Sequence, residues 1–325
     1  MKNQFLLLAA GLMALWVSSC APARQLSIQG AYRPGQQIHY KLVENTVTST
    51  EALEGELEIP ATTTTQEKVT EFSYIVKSVR PDNSIDMDLK FTHIYDREND
   101  DKGETEYDTD HPIPDSLIDI SAGGLAGKAL AYNTLIGRNF QMRLSPEGKV
   151  LSIKGMNEAW DEIEERFMEQ SPLAGSMLKN MKKQFGDEAM RSGQNDYWGY
   201  LPGKKVRVGQ TWKKPYEFAS FGLAGTTAYT LKSFDARQAR ITFSTKIGTE
   251  KDKPGIIDMG MIKIRYNLQG KGSGNIQVDQ PYATIRTFEQ TLSMTGPMEV
   301  KTSFTDWIMV PITVTVNSRL ERVEK

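Results

Sequence analysis

Apolar and polar residues alternate along much of the chain. Ile85, Met87, Leu89, Phe91, His93 and Tyr95 occupy every second position, with Asp86, Asp88, Lys90 and Thr92 between them. The period returns at Ala239, Ile241, Phe243, Thr245 and Ile247, and again at Ile308, Val310, Ile312, Val314 and Val316. Successive side chains of a strand point to opposite faces, so a period of two predicts strands with one buried and one wet face. β-branched and aromatic residues crowd these runs, as a pleated surface favours. One polar face per strand points to antiparallel pairing, because parallel strands are covered on both faces. Pro81-Asp82-Asn83-Ser84, Pro146-Glu147-Gly148, Asp235-Ala236-Arg237 and Gly296-Pro297 carry turn chemistry and are expected to separate strands. The expected fold class is mainly β, of α+β type, built from curved antiparallel sheets.

From Asn157 to about Arg191 the period becomes helical. Trp160, Ile163 and Phe167 recur at three and four, the spacing of one helix face. Ser171 reads as an N-cap with Pro172 in the first turn. Met177, Leu178, Met181 and Phe185 form a second stripe, and Gly186 is its expected stop. Packing on the sheet accounts for such a stripe. The functional alternative is a lid over a ligand, since methionine adapts to what it covers. Trp160, Met177 and Met181 are on that ground candidate ligand contacts, together with His93 on the apolar face of its strand.

Two stretches share a layout. Arg33-Pro34-Gly35-Gln36 precedes Tyr74-Ile75-Val76-Lys77-Ser78 and the strand Ile85–Ile94. Arg207-Val208-Gly209-Gln210 precedes Tyr229-Thr230-Leu231-Lys232-Ser233 and the strand Ala239–Ile247. Aligning the Tyr-x-(Val/Leu)-Lys-Ser segments aligns the turns and strands that follow. Either the chain holds two related β-meander halves with the helical insert between them, or it holds two unrelated meanders.

The first twenty residues obey neither period. Lys2 is followed by an apolar run from Phe5 to Val17, then Ser18, Ser19 and Cys20. That run falls short of the roughly 20 residues that span a bilayer and suits a signal-peptide core. Val17-Ser18-Ser19-Cys20 resembles the lipobox of bacterial lipoproteins. The resemblance implies cleavage between Ser19 and Cys20, a diacylglycerol on the Cys20 thiol and an acylated new amino terminus. Ala21 after the cysteine, by resemblance to a bacterial sorting rule, favours the outer membrane. The expected organisation is a signal peptide over 1–19, a lipidated tether over 20–32, a β-rich half over 33–155, a helical segment over 156–196 and a second β-rich half over 197–325.

Cys20 is the sole cysteine, so once lipidated it leaves no thiol for a disulfide, a nucleophile or a zinc site. Formal net charge is −2, which leaves no basic surplus for nucleic acid. The three histidines, His39, His93 and His111, form no HxH or HxxxH pair, and no metal site or cofactor is expected. The acidic run from Asp96 to Asp110 lacks EF-hand spacing and reads as a solvated hairpin loop. Gly270-Lys271-Gly272-Ser273-Gly274 lacks the spacing of a phosphate loop and marks a bulge or close backbone approach. Trp198, Tyr200, Leu201, Pro202 and Trp212 read as core and loop anchors, the alternative being aromatics that stack on sugars or lipids.

Further phrases carry a family resemblance: Pro34-Gly35-Gln36 before an aromatic strand, Tyr107-Asp108-Thr109, Gly137-Arg138-Asn139-Phe140, Leu144-Ser145-Pro146-Glu147-Gly148-Lys149-Val150, Leu201-Pro202-Gly203 and Val208-Gly209-Gln210-Thr211-Trp212. With these the chain resembles a family of bacterial lipoproteins known only as a domain of unknown function, which supplies no activity and no catalytic residues. More loosely it is similar in architecture to periplasmic lipoprotein-carrier half-barrels, whose curved sheets bear helices over an apolar concave face. The functional expectation is a non-catalytic envelope lipoprotein that holds an apolar ligand or docks an envelope partner. The alternative is a hydrolase built on His93 and nearby carboxylates.

Overall fold

The computed structural model describes residues 25–28, 31–53, 60–118, 124–168, 178–179, 182–183, 185–218, 222–250, 255–258, 262–280, 282–302 and 305–324. Ser19 and Cys20, the Ser171-Pro172 cap, Met177 and Met181 lie outside the described residues. The chain runs through β1 (Gln25–Ser27), β2 (Gln37–Thr50), β3 (Thr62–Val79), β4 (Ile85–Asp100), β5 (Gly103–Asp108), α1 (Gly124–Leu135), β6 (Asn139–Leu144) and β7 (Val150–Lys154). It continues through α2 (Met156–Met168), α3 (Asp187–Trp198), β8 (Lys205–Arg207), β9 (Thr211–Phe218), β10 (Leu223–Phe234) and β11 (Gln238–Thr249). The last elements are β12 (Ile256–Asp258), β13 (Ile262–Tyr266), β14 (Gln269–Asp279), β15 (Thr284–Thr302) and β16 (Ile308–Val323).

One antiparallel sheet of 14 strands takes in most of these, in the order β7-β6-β4-β3-β2-β16-β15-β14-β11-β10-β9. β5 pairs with the far end of β4, and β13 carries β12 along the far end of β15. β1 and β8 form a separate two-stranded ribbon. The seam between the amino- and carboxy-terminal strands is continuous, from Val323 opposite His39 to Ile312 opposite Thr50.

The sheet curves where its sequence lets backbones come close. Gly270, Gly272 and Gly274 alternate along β14 and so share one face. A Cβ at Gly274 would lie 2.5 Å from the Phe243 ring and collide with the Glu289 carbonyl oxygen. This is the close approach that strand glycines mark. Gly296-Pro297 was expected to be a turn, but it lies inside β15. There β15 passes from pairing with β14 at Thr295 to pairing with β13 at Met298. Proline lacks the N–H that unbroken pairing would use, so it fits this gap between partners.

The two ends of the sheet, β7 and β9, both meet α3. Val150 N–H of β7 donates to Asn195 Oδ1 at 2.8 Å, and Ser192 Oγ donates to the Glu217 carbonyl of β9 at 2.6 Å. Lys214 Nζ of β9 also reaches the Glu147 carbonyl in the turn before β7, at 3.0 Å. Inside, Trp198 packs edge-on to Tyr74, with centroids 5.2 Å apart, and its neighbour Tyr197 packs on Phe288 at 5.8 Å. Aromatic contacts run from Tyr74 through Phe72 and Phe91 to Phe140, and from Phe288 through Phe243 and Tyr229 to Trp212. Both arms of the sheet therefore share one core.

The helical expectation holds at one point and misses a helix elsewhere. Leu178, Lys179, Lys182, Lys183 and Phe185 are helical and the helix breaks at Gly186, as expected. Gly186 is at the same time the N-cap of α3, whose first turn carries Asp187 and Glu188 against the positive end of the helix dipole. α3 then runs past Arg191 to Trp198. α1 was not foreseen. Its segment GLAGKALAYNTL lacks a polar face, and Ala129, Leu130, Ala131 and Tyr132 are all buried.

Asn195→Ala would leave the Val150 N–H without its partner. Urea unfolding is expected to show a loss of about 1–3 kcal/mol, with faster amide exchange at Val150. An unchanged midpoint would mean that the sheet ends hold without this contact.

Candidate functional site

Strand register places three cross-strand rows on the inner face of the sheet. Met294, Val314, Thr48 and Thr64 form one row, and Leu292, Val316, Thr46, Gln66 and Glu98 form the next. Gln290, Ser318, Glu44, Lys68 and Asp96 form the third. Each row passes from β15 and β16, which supply aliphatic groups in the first two, to β2, β3 and β4, which supply hydroxyl, amide and charged groups. Along β2 the inward positions change from buried Ile38, Tyr40 and Leu42 to half-buried Glu44, Thr46, Thr48 and Thr50. The inner face is thus sealed at the aromatic end and accessible beyond Glu44.

The aliphatic part belongs to a second cluster of Leu223, Ile247, Leu268, Leu292, Met294, Val310 and Ile312, against which Met298, Ile308, Val314 and Val316 are only half buried. The polar part is a network. Asp96 is fully buried and accepts from both sides: Gln66 Nε2 lies 2.7 and 2.9 Å from its two oxygens, and the Tyr132 hydroxyl lies at 2.5 Å. Lys128 Nζ stands 3.8 Å from Asp96 and 2.6 Å from Glu98. Lys68 Nζ lies 5.1 Å from the Tyr132 ring centroid. A buried carboxylate needs partners of this kind, because desolvation without them is costly.

Two further carboxyls have less help. Burial pushes Glu44 above the usual carboxylate range, against the opposing charge of Lys68 and a hydrogen bond from Ser318. Asp196 on α3 is pushed up to about 8, chiefly by burial; a hydrogen bond with the Tyr216 hydroxyl opposes the shift and the Glu44 charge adds to it. At neutral pH the Asp196 carboxyl is therefore largely protonated and offers an O–H donor near Glu44 and Tyr216.

The register moves His93. Phe72 faces Phe91 and Glu71 faces His93, so Thr92 is an extra residue in a β-bulge. The alternation up to Phe91 holds, but beyond the bulge Ile94 and Asp96 point inward, and His93 and Tyr95 point outward. The expectation that His93 sits on the apolar face is thus corrected: a one-residue insertion flips every later side chain. Outside, its Nε2 lies 2.9 Å from Asp108 Oδ1. The acidic run is a hairpin of β4 and β5, as the solvated-hairpin reading expects, although Asp96 itself is buried. Trp160 is 1% exposed on α2, with its indole N–H donating to the Phe185 carbonyl at 3.3 Å. Trp160 and His93 are therefore not brought together.

A recess of about 690 Å³ opens on the outer face, lined by Asn45, Asn317, Thr291, Ser273 and Asn275 among others. Its lining is mostly amide and hydroxyl, unlike the aliphatic inner strip. The sequence signal for the inner site was Glu44, a charged residue in phase with Ile38, Tyr40 and Leu42. Asp196 had no such signal: it lies in the expected helical segment 156–196, but no apolar stripe was read around it.

A family model described as "Family of unknown function (DUF6263)" matches residues 82–283. No curated protein matches the chain. Among solved structures, lipovitellin, studied for lipid–protein interactions, aligns with TM-score 0.47 at 9% identity over 90% of this chain and 25% of its own. The chain thus spans about a quarter of that protein. The COG4313 outer membrane channel from Pseudomonas putida F1 aligns with TM-score 0.24 at 9% identity, over 91% and 98% of the two chains.

The raised Asp196 pKa has a sign that can be measured. The folded state holds a proton that the unfolded chain releases near its ordinary pKa, so stability from this group is greatest at low pH and falls as pH rises towards about 8. The slope is at most about 1.4 kcal/mol per pH unit, reduced by solvent at this half-buried group. Asp196→Asn is expected to flatten the fall in urea stability between acid and mildly alkaline pH. Parallel pH profiles for variant and wild type would contradict the assignment.

Proposed function

The chain belongs to the DUF6263 family of unknown function, and from that premise we propose a non-catalytic binding lipoprotein whose inner sheet face holds one single-chain amphiphile. The observation that carries this reading is the side-by-side pairing of Val314 and Val316 with Thr48 and Thr46. An acyl chain lies on the aliphatic strip of β15 and β16, and removing that surface from water drives binding. The head lies over Thr46, Gln66, Glu44 and Asp196. The carboxyls Glu44, Asp96, Glu98 and Asp196 outnumber the ammoniums Lys68 and Lys128, and Lys128 is already paired with Glu98, so the fitting head is neutral and rich in hydroxyl or amide groups.

The same proposal places the protein in the bacterial envelope, held at the outer membrane by lipid on Cys20 after loss of residues 1–19. Among the described residues no helix is long and apolar enough to cross a membrane. Several acyl chains make a lipid anchor stable. In this reading the two arms of the sheet are related copies. Supporting it, Gly35 and Gly209 share a φ of 84°. Gly35 N–H donates to Val76 and Gly209 N–H to Leu231, at 2.8 and 2.7 Å. A bulge follows each partner, before Ser78 and before Ser233.

Val316→Glu puts a charge into the aliphatic strip. It is expected to weaken binding of a fluorescent monoacylglycerol by more than about tenfold in a fluorescence titration; equal affinity would place binding elsewhere. Cys20→Ser is expected to abolish incorporation of radiolabelled palmitate in cells and to release the protein from the membrane fraction. Palmitate labelling that survives this substitution would overturn the anchor.

A further inference from the structure

The bulge that turns His93 outward delivers it to a prepared partner. The segment after β5 is pinned to β4 from both sides: Thr109 N–H donates to the Ile94 carbonyl at 3.0 Å, and Ile94 N–H donates to Thr109 Oγ1 at 2.8 Å. Asp108 is fixed within the same turn, its Oδ1 accepting from Asp110 N–H at 2.9 Å and its carbonyl accepting from His111 N–H at 3.0 Å. These bonds hold the Asp108 carboxylate at the Nε2 edge of the His93 ring, with Asp110 next to it. Asp108 Oδ1 lies 2.9 Å from His93 Nε2, and Asp110 Oδ2 lies 3.9 Å from it, too far to share a hydrogen bond. One ligand atom from each residue falls within 4.8 Å of the others.

We propose that His93, Asp108 and Asp110 bind one divalent transition-metal ion of the zinc class. Ligands about 2.0–2.2 Å from a tetrahedral zinc stand roughly 3.4 Å from one another, so small side-chain rotations bring these three atoms onto the ion. The donor set selects the metal: imidazole with two carboxylates suits zinc or a similar borderline ion, whereas calcium takes six to eight oxygens and magnesium keeps most of its water. The side chains of His93, Asp108 and Asp110 are 23%, 36% and 67% exposed, so the ion has an entry path and water completes its coordination. The bulge gives the geometry a physical origin, since bulges re-aim side chains. Without Thr92 as the extra residue, His93 would face the core, away from both carboxylates. The site lies on the face opposite the amphiphile strip and does not rest on that reading.

The test is a zinc titration of the chelator-treated, detergent-purified full-length protein by competition calorimetry, with melting temperature as a second readout. The wild type is expected to take one ion per chain and to melt higher with zinc present. His93→Gln and Asp110→Asn are each expected to lose more than about tenfold in affinity and to lose the zinc-dependent rise, while His39→Asn keeps both. Asp110 is largely exposed, so its variant tests the site even if His93→Gln folds poorly. No uptake by the wild type, or unchanged affinity in Asp110→Asn, would overturn the proposal. Displacement of zinc by an equal concentration of calcium would overturn the metal class.

Discussion

Ser192 and Asn195 stand three residues apart on α3 and serve strands at opposite ends of a 14-stranded sheet. A free strand edge exposes backbone donors and acceptors that recruit other chains or waste hydrogen bonds. A barrel removes the problem by pairing its first strand with its last. Here a helix stands between the ends and answers each edge with one side chain. Tyr197 and Trp198 on the same helix close the aromatic contacts of the two arms. The distinction between inner and outer face, on which both proposals depend, follows from this closure.

Closure also explains where polar groups are tolerated. The aromatic end excludes water and leaves little room for charge. Beyond Glu44 the inward positions of β2 become half-buried, and carboxyls, the ammoniums of Lys68 and Lys128, amides and hydroxyls collect there. Asp96 is the exception, a fully buried carboxylate surrounded by donors. Asp196 has the Tyr216 hydroxyl beside it but the Glu44 charge against it, and burial raises its pKa so that it keeps its proton, the cheaper response of a carboxyl to burial. A protonated carboxyl, two threonine rows and an aliphatic strip on one face are complementary to a molecule that is itself half apolar.

Much of the fold was legible because strand periodicity is local. The alternations at Ile85–Phe91, Ala239–Ile247 and Ile308–Val316 all lie in strands with the expected inward positions. What failed was non-local. The Thr92 bulge is visible only in the register against Glu71 and Phe72, and it moves His93 to the other face. The Gly296-Pro297 pair looks like a turn until β13 and β14 are seen to share β15. α3 carries a weak stripe because two of its polar residues, Ser192 and Asn195, face strand edges rather than solvent. The pairing of His93 with Asp108 and Asp110 was hidden for the same reason as the bulge, and the amphiphile strip because Thr46 and Val316 meet only across the chain's seam.

The inner and outer faces can be distinguished by methionine methyl NMR, since Met294 and Met298 line or flank the inner strip while Met309 is 61% exposed in β16. Titration with a monoacylglycerol is the most direct measurement of the account's central claim, that the closed sheet binds an amphiphile on its inner face. The account predicts saturable shifts at Met294 and Met298 with Met309 unmoved. Shifts confined to Met309, or none at Met294 and Met298, would contradict it.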